Sequence, residues 1–287
     1  MTQDSTFVAW VGLCLMPRVG GKLMARLLNH FQTPENVLAA FPDDLRTVPG
    51  IGSRTVESIQ NVNLEEVNAK IEQWQTAGIE ILPHYVADYP PMLKATHDAL
   101  PLLFKRGNWS NATPQTIAIV GTREPSPAAH DFAYLLGEKL SEVGWTIVSG
   151  MAVGIDTQAH HGALKTGATV AVLGCGLHNL YPPENKSLAS QIAQQGALFS
   201  EVAPEVSPSS SQLVARNRII SGLSQAIILV ESEVDGGAMH TVRFARDHGR
   251  PVFGVDFAAS GNQYLKTEGA GMITPTPSGI KSFLALF

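Results

Sequence analysis

Cysteine is nearly absent. Only Cys14 and Cys175 occur in 287 residues, which excludes a disulfide framework and a cysteine zinc site. Long apolar runs are missing too. No stretch approaches the roughly 20 residues that span a bilayer, and no basic segment leads into an apolar run at the start, so no signal peptide is read. Positive charge does not dominate. Lys and Arg number 20 against 25 Asp and Glu, a formal net charge of -5, so any phosphate site must be a local cluster rather than a broad basic face. The nucleotide fingerprints G-x-G-x-x-G and G-x-x-x-x-G-K-[ST] are missing where they would count. That removes most support for redox dinucleotides and P-loop hydrolysis. Neither H-E-x-x-H nor G-x-S-x-G occurs. The reading is therefore no metal, no cofactor, no catalytic constellation and no membrane segment, in a reduced, soluble, cytoplasmic protein. What is present is apolar: 44% hydrophobic and 16% charged residues can build a large core, and the length suits two domains.

The two halves differ in pattern. Residues 1–73 read as helical, with Leu23, Leu27, Leu28 and Phe31, then Val56 and Ile59, then Val67, Ile71 and Trp74 at helical spacing. From residue 74 onward, Gly78, Gly144, Gly167, Gly196 and Gly249 each stand between a helical stretch and a β-rich run, a punctuation that glycine suits by ending helices in a left-handed cap. Residues 116–120 and 226–230 are continuous apolar runs, the mark of strands covered on both faces. Ser126 and Pro127 open a helix to residue 143 with Ala129, Phe132, Leu136, Leu140 and Val143 on one stripe. This alternation predicts an α/β fold, a doubly wound, mostly parallel Rossmann-like sheet over 74–287, preceded by a small all-α domain over 1–73. Residues 83–115 read as irregular with one or two extra strands, and a last short helix falls near 280–286.

Ligands bind at the carboxyl ends of strands in such sheets. Those ends hold Gly121, Thr122 and Arg123, then Ser149, Gly150 and Gly154, then Gly174 and Gly176, then Gly236 and Gly237. Any one of these is a turn or cap before it is a site. Together at one edge they point to a ligand, because glycine permits close backbone approach and helix N-termini offer free N–H groups. Arg216-Asn217-Arg218 stands at a helix start, where guanidiniums hold phosphate bidentately. Two residues apart they diverge, so one can bind ligand while the other pairs with an acid inside the fold. Asp156 reads first as a helix cap. His160 and His161, being adjacent, cannot share one metal.

In the N-terminal region Val48-Pro49-Gly50-Ile51-Gly52 reads as a helix-hairpin-helix turn. Leu15-Met16-Pro17-Arg18-Val19-Gly20 is a weaker copy. Such turns expose backbone N–H groups that can meet a DNA phosphate without reading sequence. Six Lys and Arg against eight Asp and Glu over residues 1–73 favour a packing role.

The motifs of the second region resemble the DNA processing protein A (DprA/Smf) family. They run Ile117–Arg123, Val148–Asp156 with Ala159-His160, Val172–Leu177, Tyr181-Pro182 with Asn185, Ser200-Glu201, Arg216–Ser224 and Val230-Glu231, in family order across about 77–275. The resemblance implies a non-enzymatic single-stranded DNA-binding protein of natural transformation. Such a protein protects incoming strands, loads the RecA recombinase and forms a homodimer through the Rossmann-like domain. It places Arg123 in the phosphate pocket and Arg216-Asn217-Arg218 on its second wall, with Asp156, His160, Glu201 and Glu231 structural or adjacent to ligand. Departures accompany it. Val153 stands where Arg is usual, Leu213 and Val214 where an aromatic and Pro are usual, and Ser210 near a usual Lys. Gly236-Gly237-Ala238 replaces Ser-Gly-Ser, and no C-terminal winged helix is read. Each lost cation or stacking ring removes about 1–3 kcal/mol of binding. A second reading stays open: an enzyme or sensor taking a nucleotide-derived small molecule in the same Gly-rich site.

Overall fold

The structure, a computed structural model, describes residues 4–110 and 115–287. It divides into two compact units. The first comprises residues up to Tyr89 together with His97–Phe104, and the second Pro90–Thr96 and Lys105–Phe287.

The first unit is built from α1 (Ser5–Leu15), α2 (Gly21–Phe31), α3 (Pro34–Ala39), α4 (Pro42–Arg46), α5 (Ser53–Gln60) and α6 (Leu64–Thr76), followed by β1 (Glu80–Pro83). Thr33 opens α3 as expected, its side chain accepting from Asn36 N, and Asn63 does the same for α6. Leu13, Met24, Leu27, Leu45, Ile59, Ile71 and Trp74 are fully buried. The boundary read at 73/74 falls inside α6, and the unit takes in β1 as well. The two hairpins have matching geometry. Val19 N donates to Met16 O and Ile51 N to Val48 O, each at 3.2 Å. The third residue of each turn has positive φ, 72° at Arg18 and 93° at Gly50. The first turn thus repeats the second, although a β-carbon at Arg18 makes that conformation costly.

The second unit begins with α7 (Pro91–Lys94) and the later residues of β2 (Leu102–Gly107). Then follow β3 (Thr116–Val120), α8 (Pro127–Glu142), β4 (Thr146–Ser149), α9 (Ile155–Ala163), β5 (Thr169–Leu173), α10 (Lys186–Gln195) and β6 (Ala197–Ser200). The chain ends through α11 (Ser210–Ala215), α12 (Asn217–Gly222), β7 (Ala226–Leu229), α13 (Ala238–Asp247), β8 (Val252–Val255), α14 (Ser260–Thr267), β9 (Gly271–Ile273) and α15 (Pro277–Leu284). Strands in this unit lie in the order β6-β5-β4-β3-β7-β8-β9, and each neighbouring pair is parallel. The order runs outward from β3 in both directions, the doubly wound arrangement that alternating strands and helices imply.

All five glycine-led strands form, as β1, β4, β5, β6 and β8. The left-handed cap holds at Gly78, Gly144 and Gly249, where φ is positive, whereas Gly196 ends α10 with φ of -152°. On α8 the stripe Ala129, Phe132, Leu136 and Leu140 joins Ile117, Ile119, Ile147 and Ile228 in one core. Val143, read as the stripe's last member, is instead 54% exposed, because α8 stops at Glu142 and Val143 is its C-cap. Four elements of this unit went unread: the short helices α7 and α11, α14 and the short edge strand β9.

Candidate functional site

The site begins where β3, buried along its length, delivers the chain to Gly121-Thr122-Arg123. Thr122 N donates to Glu231 O at 2.7 Å, and Thr122 O accepts from Ile155 N at 3.1 Å. Ser126 caps α8, its hydroxyl accepting from Ala129 N at 3.3 Å. The Glu231 carboxylate accepts from Ser126 N at 2.7 Å and from its hydroxyl at 2.8 Å. Glu231 therefore spans the crevice between β3 and β7, where the strand order reverses. The loop is pinned on both sides, and Arg123 projects from it, exposed. No hydrogen bond or ion pair holds its guanidinium among the described residues.

The second wall follows β4. Ser149 turns its hydroxyl inward to Ile119 O at 2.6 Å. The chain then makes a tight loop with positive φ at Met151 (61°) and at Gly154 (83°). A Cβ on Gly154 would stand 2.5 Å from Thr122 O, so this position requires glycine for both conformation and space. Gly154, not Asp156, is the N-cap of α9. The cap reading of Asp156 is corrected: it lies in the first turn, and its Oδ2 accepts from Gly150 N at 3.1 Å and Ala152 N at 3.3 Å. The carboxylate folds the loop back over its own helix. Asn185 secures the same loop from outside, donating to Met151 O and to Thr157 Oγ1, each at 2.8 Å.

Arg216 crosses this loop. It is only 6% exposed, and its Nη2 donates to Gly150 O at 3.0 Å while its Nε has no partner. A Cβ on Gly150 would lie 1.4 Å from Arg216 Nη1, so the glycine exists to let the guanidinium pass. Burial raises the Asp156 carboxyl above the usual carboxylate range and lowers the Arg216 guanidinium, while their mutual attraction opposes both shifts. Arg123 adds like-charge repulsion to Arg216.

Arg123, Gly150, Ala152, Val153, Tyr181, Pro182, Leu213 and Arg216 line one cleft enclosing about 40 Å³. This is the room of roughly three waters, and far below the roughly 300 Å³ at which pockets enclosing whole small molecules begin. The enclosed space is of the scale of a phosphoryl group.

The remaining residues from the sequence take other places. Gly121 and Thr122 form the floor under Arg123. Gly174 lies beneath Leu213, whose backbone comes within 2.8 Å of where a Cβ would stand. Gly176 packs under the carbonyls of Ala203 and Pro204 and donates to Val206 O at 2.8 Å. Asn217 is buried at the start of α12. Arg218 pairs with Glu201, so the two arginines do separate into one toward the cleft and one tied to an acid. Gly236 and Gly237 lead into α13 and do not line the cleft. His160 is fully buried, its Nδ1 2.7 Å from Thr169 Oγ1. That hydroxyl already donates to Ile147 O, so Nδ1 carries the proton. Burial, then His161 and Arg216, push its pKa down to about 3, and the ring is neutral. Tyr181 was visible only as part of a motif. Nothing in its spacing tells that it lines the same cleft as Arg123, because 58 residues of chain lie between them.

A family model for DNA recombination-mediator protein A matches residues 80–283, and one for a SAM-like helix-hairpin-helix tandem matches residues 13–61. The chain is 36% identical over 251 residues to Protein Smf of Synechocystis sp., covering 85% of this chain and 63% of that protein. It is 38% identical over 272 residues to Protein Smf of Escherichia coli, covering 92% and 72%. It thus spans a little under two thirds of the length of the Synechocystis relative. The structure of DNA processing protein A from Streptococcus pneumoniae aligns over 98% of both chains with a TM-score of 0.80 at 26% identity. The protein of that name from Helicobacter pylori, solved for its single-stranded DNA binding mode, aligns over 73% of this chain and 97% of its own, with a TM-score of 0.66 at 28% identity. With the doubly wound sheet, the paired hairpins and the arginine-lined cleft in view, this chain belongs to the DNA recombination-mediator protein A family.

Proposed function

We propose that this protein binds single-stranded DNA without catalysing a reaction on it, taking a backbone phosphate into the cleft between Arg123 and Arg216. One observation carries the reading. Two guanidiniums face a phosphoryl-sized space, one without any protein partner and the other committed to a single backbone carbonyl by its Nη2. Charge-assisted hydrogen bonds to phosphate would relieve their repulsion. The cleft meets the DNA backbone and leaves bases outside, which fits a strand bound irrespective of sequence. The single-stranded DNA binding mode described for the Helicobacter pylori protein supports the reading. Protection of incoming strands in natural transformation, delivery to the RecA recombinase, a homodimer through the second unit and a cytoplasmic setting complete the proposal by kinship. No helix among the described residues is long and apolar enough to cross a membrane.

Fluorescence anisotropy with oligothymidylate, a blunt duplex of equal length and thymidine monophosphate tests it. The single strand should bind best. A duplex that binds as well would overturn single-strand selectivity. A mononucleotide that binds better than the oligomer would favour the small-molecule reading instead.

A further inference from the structure

The balance of six basic to eight acidic residues over 1–73 conceals a segregation. Residues 5–34 hold no Asp or Glu, yet they carry Arg18, Lys22, Arg26 and His30. On α2, Lys22, Arg26, Asn29 and His30 stand at i, i+4, i+7 and i+8, which places them on one face. All four are exposed, while Met24 and Leu27 turn the other side of the helix into the core. Arg18 comes just ahead of them in the first hairpin and is exposed as well. Arg18 and Lys22 have no hydrogen bond or ion pair among the described residues. Arg26 reaches the second hairpin, where its Nη1 donates to Pro49 O at 3.0 Å. That bond steadies the guanidinium and leaves its other N–H groups open to a ligand. Between α2 and this hairpin runs a groove of about 290 Å³, lined by Arg26, Asn29, His30, Val48 and Pro49.

We propose that this face of the first unit docks an acidic peptide segment of a partner protein. Charge complementarity carries the proposal, since a helix face with cations and no acid calls for carboxylates. These pair with Arg18, Lys22 and Arg26, and one aliphatic side chain of the segment enters the groove over Val48 and Pro49. The groove favours a peptide over a nucleic acid. A phosphate chain offers only acceptors, which would leave the aliphatic floor and the Asn29 carbonyl without partners. A peptide supplies carboxylates, backbone N–H groups and an apolar side chain together. The exposed pairs set orientation and on-rate, while the anchored side chain supplies most of the affinity. The surface lies wholly within the first unit and uses no residue of the phosphate cleft, so it stands whether or not that cleft binds DNA.

Fluorescence anisotropy of a labelled peptide of glutamate and leucine, titrated with the full chain at low salt, tests the proposal. Two control peptides carry glutamine for glutamate and glycine for leucine. The glutamate–leucine peptide should bind best, and both controls more weakly. Lys22→Glu should weaken it about 3- to 10-fold, the scale of one surface ion pair replaced by repulsion, with oligothymidylate affinity and melting temperature unchanged. Lys70→Glu makes the same change in net charge at an exposed position on α6 and should leave peptide binding as in wild type. A peptide that does not bind, or a glutamine control that binds as well, would overturn the site. Equal losses in Lys22→Glu and Lys70→Glu would overturn it too, since net charge alone would then act. A loss of oligothymidylate binding in Lys22→Glu as large as the loss of peptide binding would make this face a nucleic-acid surface instead.

Discussion

Arg216 lies buried across Gly150, whereas Arg123 stands in solvent on the opposite wall. Their substitutions should therefore part company. Arg123→Ala should weaken oligothymidylate binding by about 1–3 kcal/mol, the scale of a charge-assisted hydrogen bond, with the melting temperature nearly unmoved. Arg216→Ala empties a buried site, leaves Gly150 O without this donor and removes the attraction that favours the Asp156 carboxylate, so it should lower the urea midpoint along with binding. Arg123→Ala that unfolds the protein would reverse these roles. His160 makes a pH prediction. Its ring resists protonation until about pH 3 in the fold but accepts a proton near its ordinary 6.5 in the unfolded chain. The folded pKa is depressed, so its share of stability is complete above pH 6.5 and declines as pH falls toward 3. At most this share is about 5 kcal/mol. Melting temperatures from pH 7 down to pH 4 should fall less steeply in His160→Asn than in wild type.

At the scale of elements, α8 does two things. Its apolar stripe builds the core around β3, and its first turn fixes the loop that presents Arg123. Ser126 joins these tasks, since its hydroxyl both accepts from Ala129 N and donates to Glu231. Ser126→Ala should cost about 1 kcal/mol for the lost cap, and it also removes one of the two hydrogen bonds by which Ser126 holds the Glu231 carboxylate, leaving that from its backbone N. Urea denaturation and oligothymidylate binding should thus both weaken. A loss of stability with binding untouched would mean that the Glu231 bridge does not hold the loop. Leu136, fully buried on the same helix, gives the contrast: Leu136→Ala should cost about 2–5 kcal/mol yet leave the affinity of the remaining folded protein unchanged.

Across the whole molecule, acidic residues outnumber basic ones, with a net charge of -5. Binding carried by two guanidiniums in a small cleft should respond only mildly to salt. With one phosphate held by the two guanidiniums, the slope of log affinity against log salt should be about -0.7 for a single strand. A dimer engaging one strand through both clefts should show about twice that. A slope several times steeper would require a basic surface other than this cleft. Titrations at four salt concentrations, with the oligomeric state measured in parallel, decide between these values.

Alternation of apolar strands and amphipathic helices after residue 74 settles a doubly wound parallel sheet, because period and punctuation are local properties. Arg123 was legible for the same reason: it follows a buried strand directly. Arg216 and Arg218 were legible as a pair whose members must diverge, since helix geometry alone requires it. Which of them faces the cleft depends on where Gly150 and Glu201 lie, and both contacts are distant in sequence. The cap reading of Asp156 failed because Gly154 holds that position and the carboxylate serves the preceding loop. Gly236 and Gly237 looked like part of one Gly-rich edge, yet they stand away from the cleft lining, since a pattern of loops does not say which loops converge. Tyr181 stood out only as part of a family motif, with nothing local to place it at the cleft. The sequence alone determined which strand ends could present a ligand site; the tertiary structure decided which of them meet, because only packing brings an arginine at 123, a glycine at 150, a tyrosine at 181 and an arginine at 216 around one phosphate-sized space.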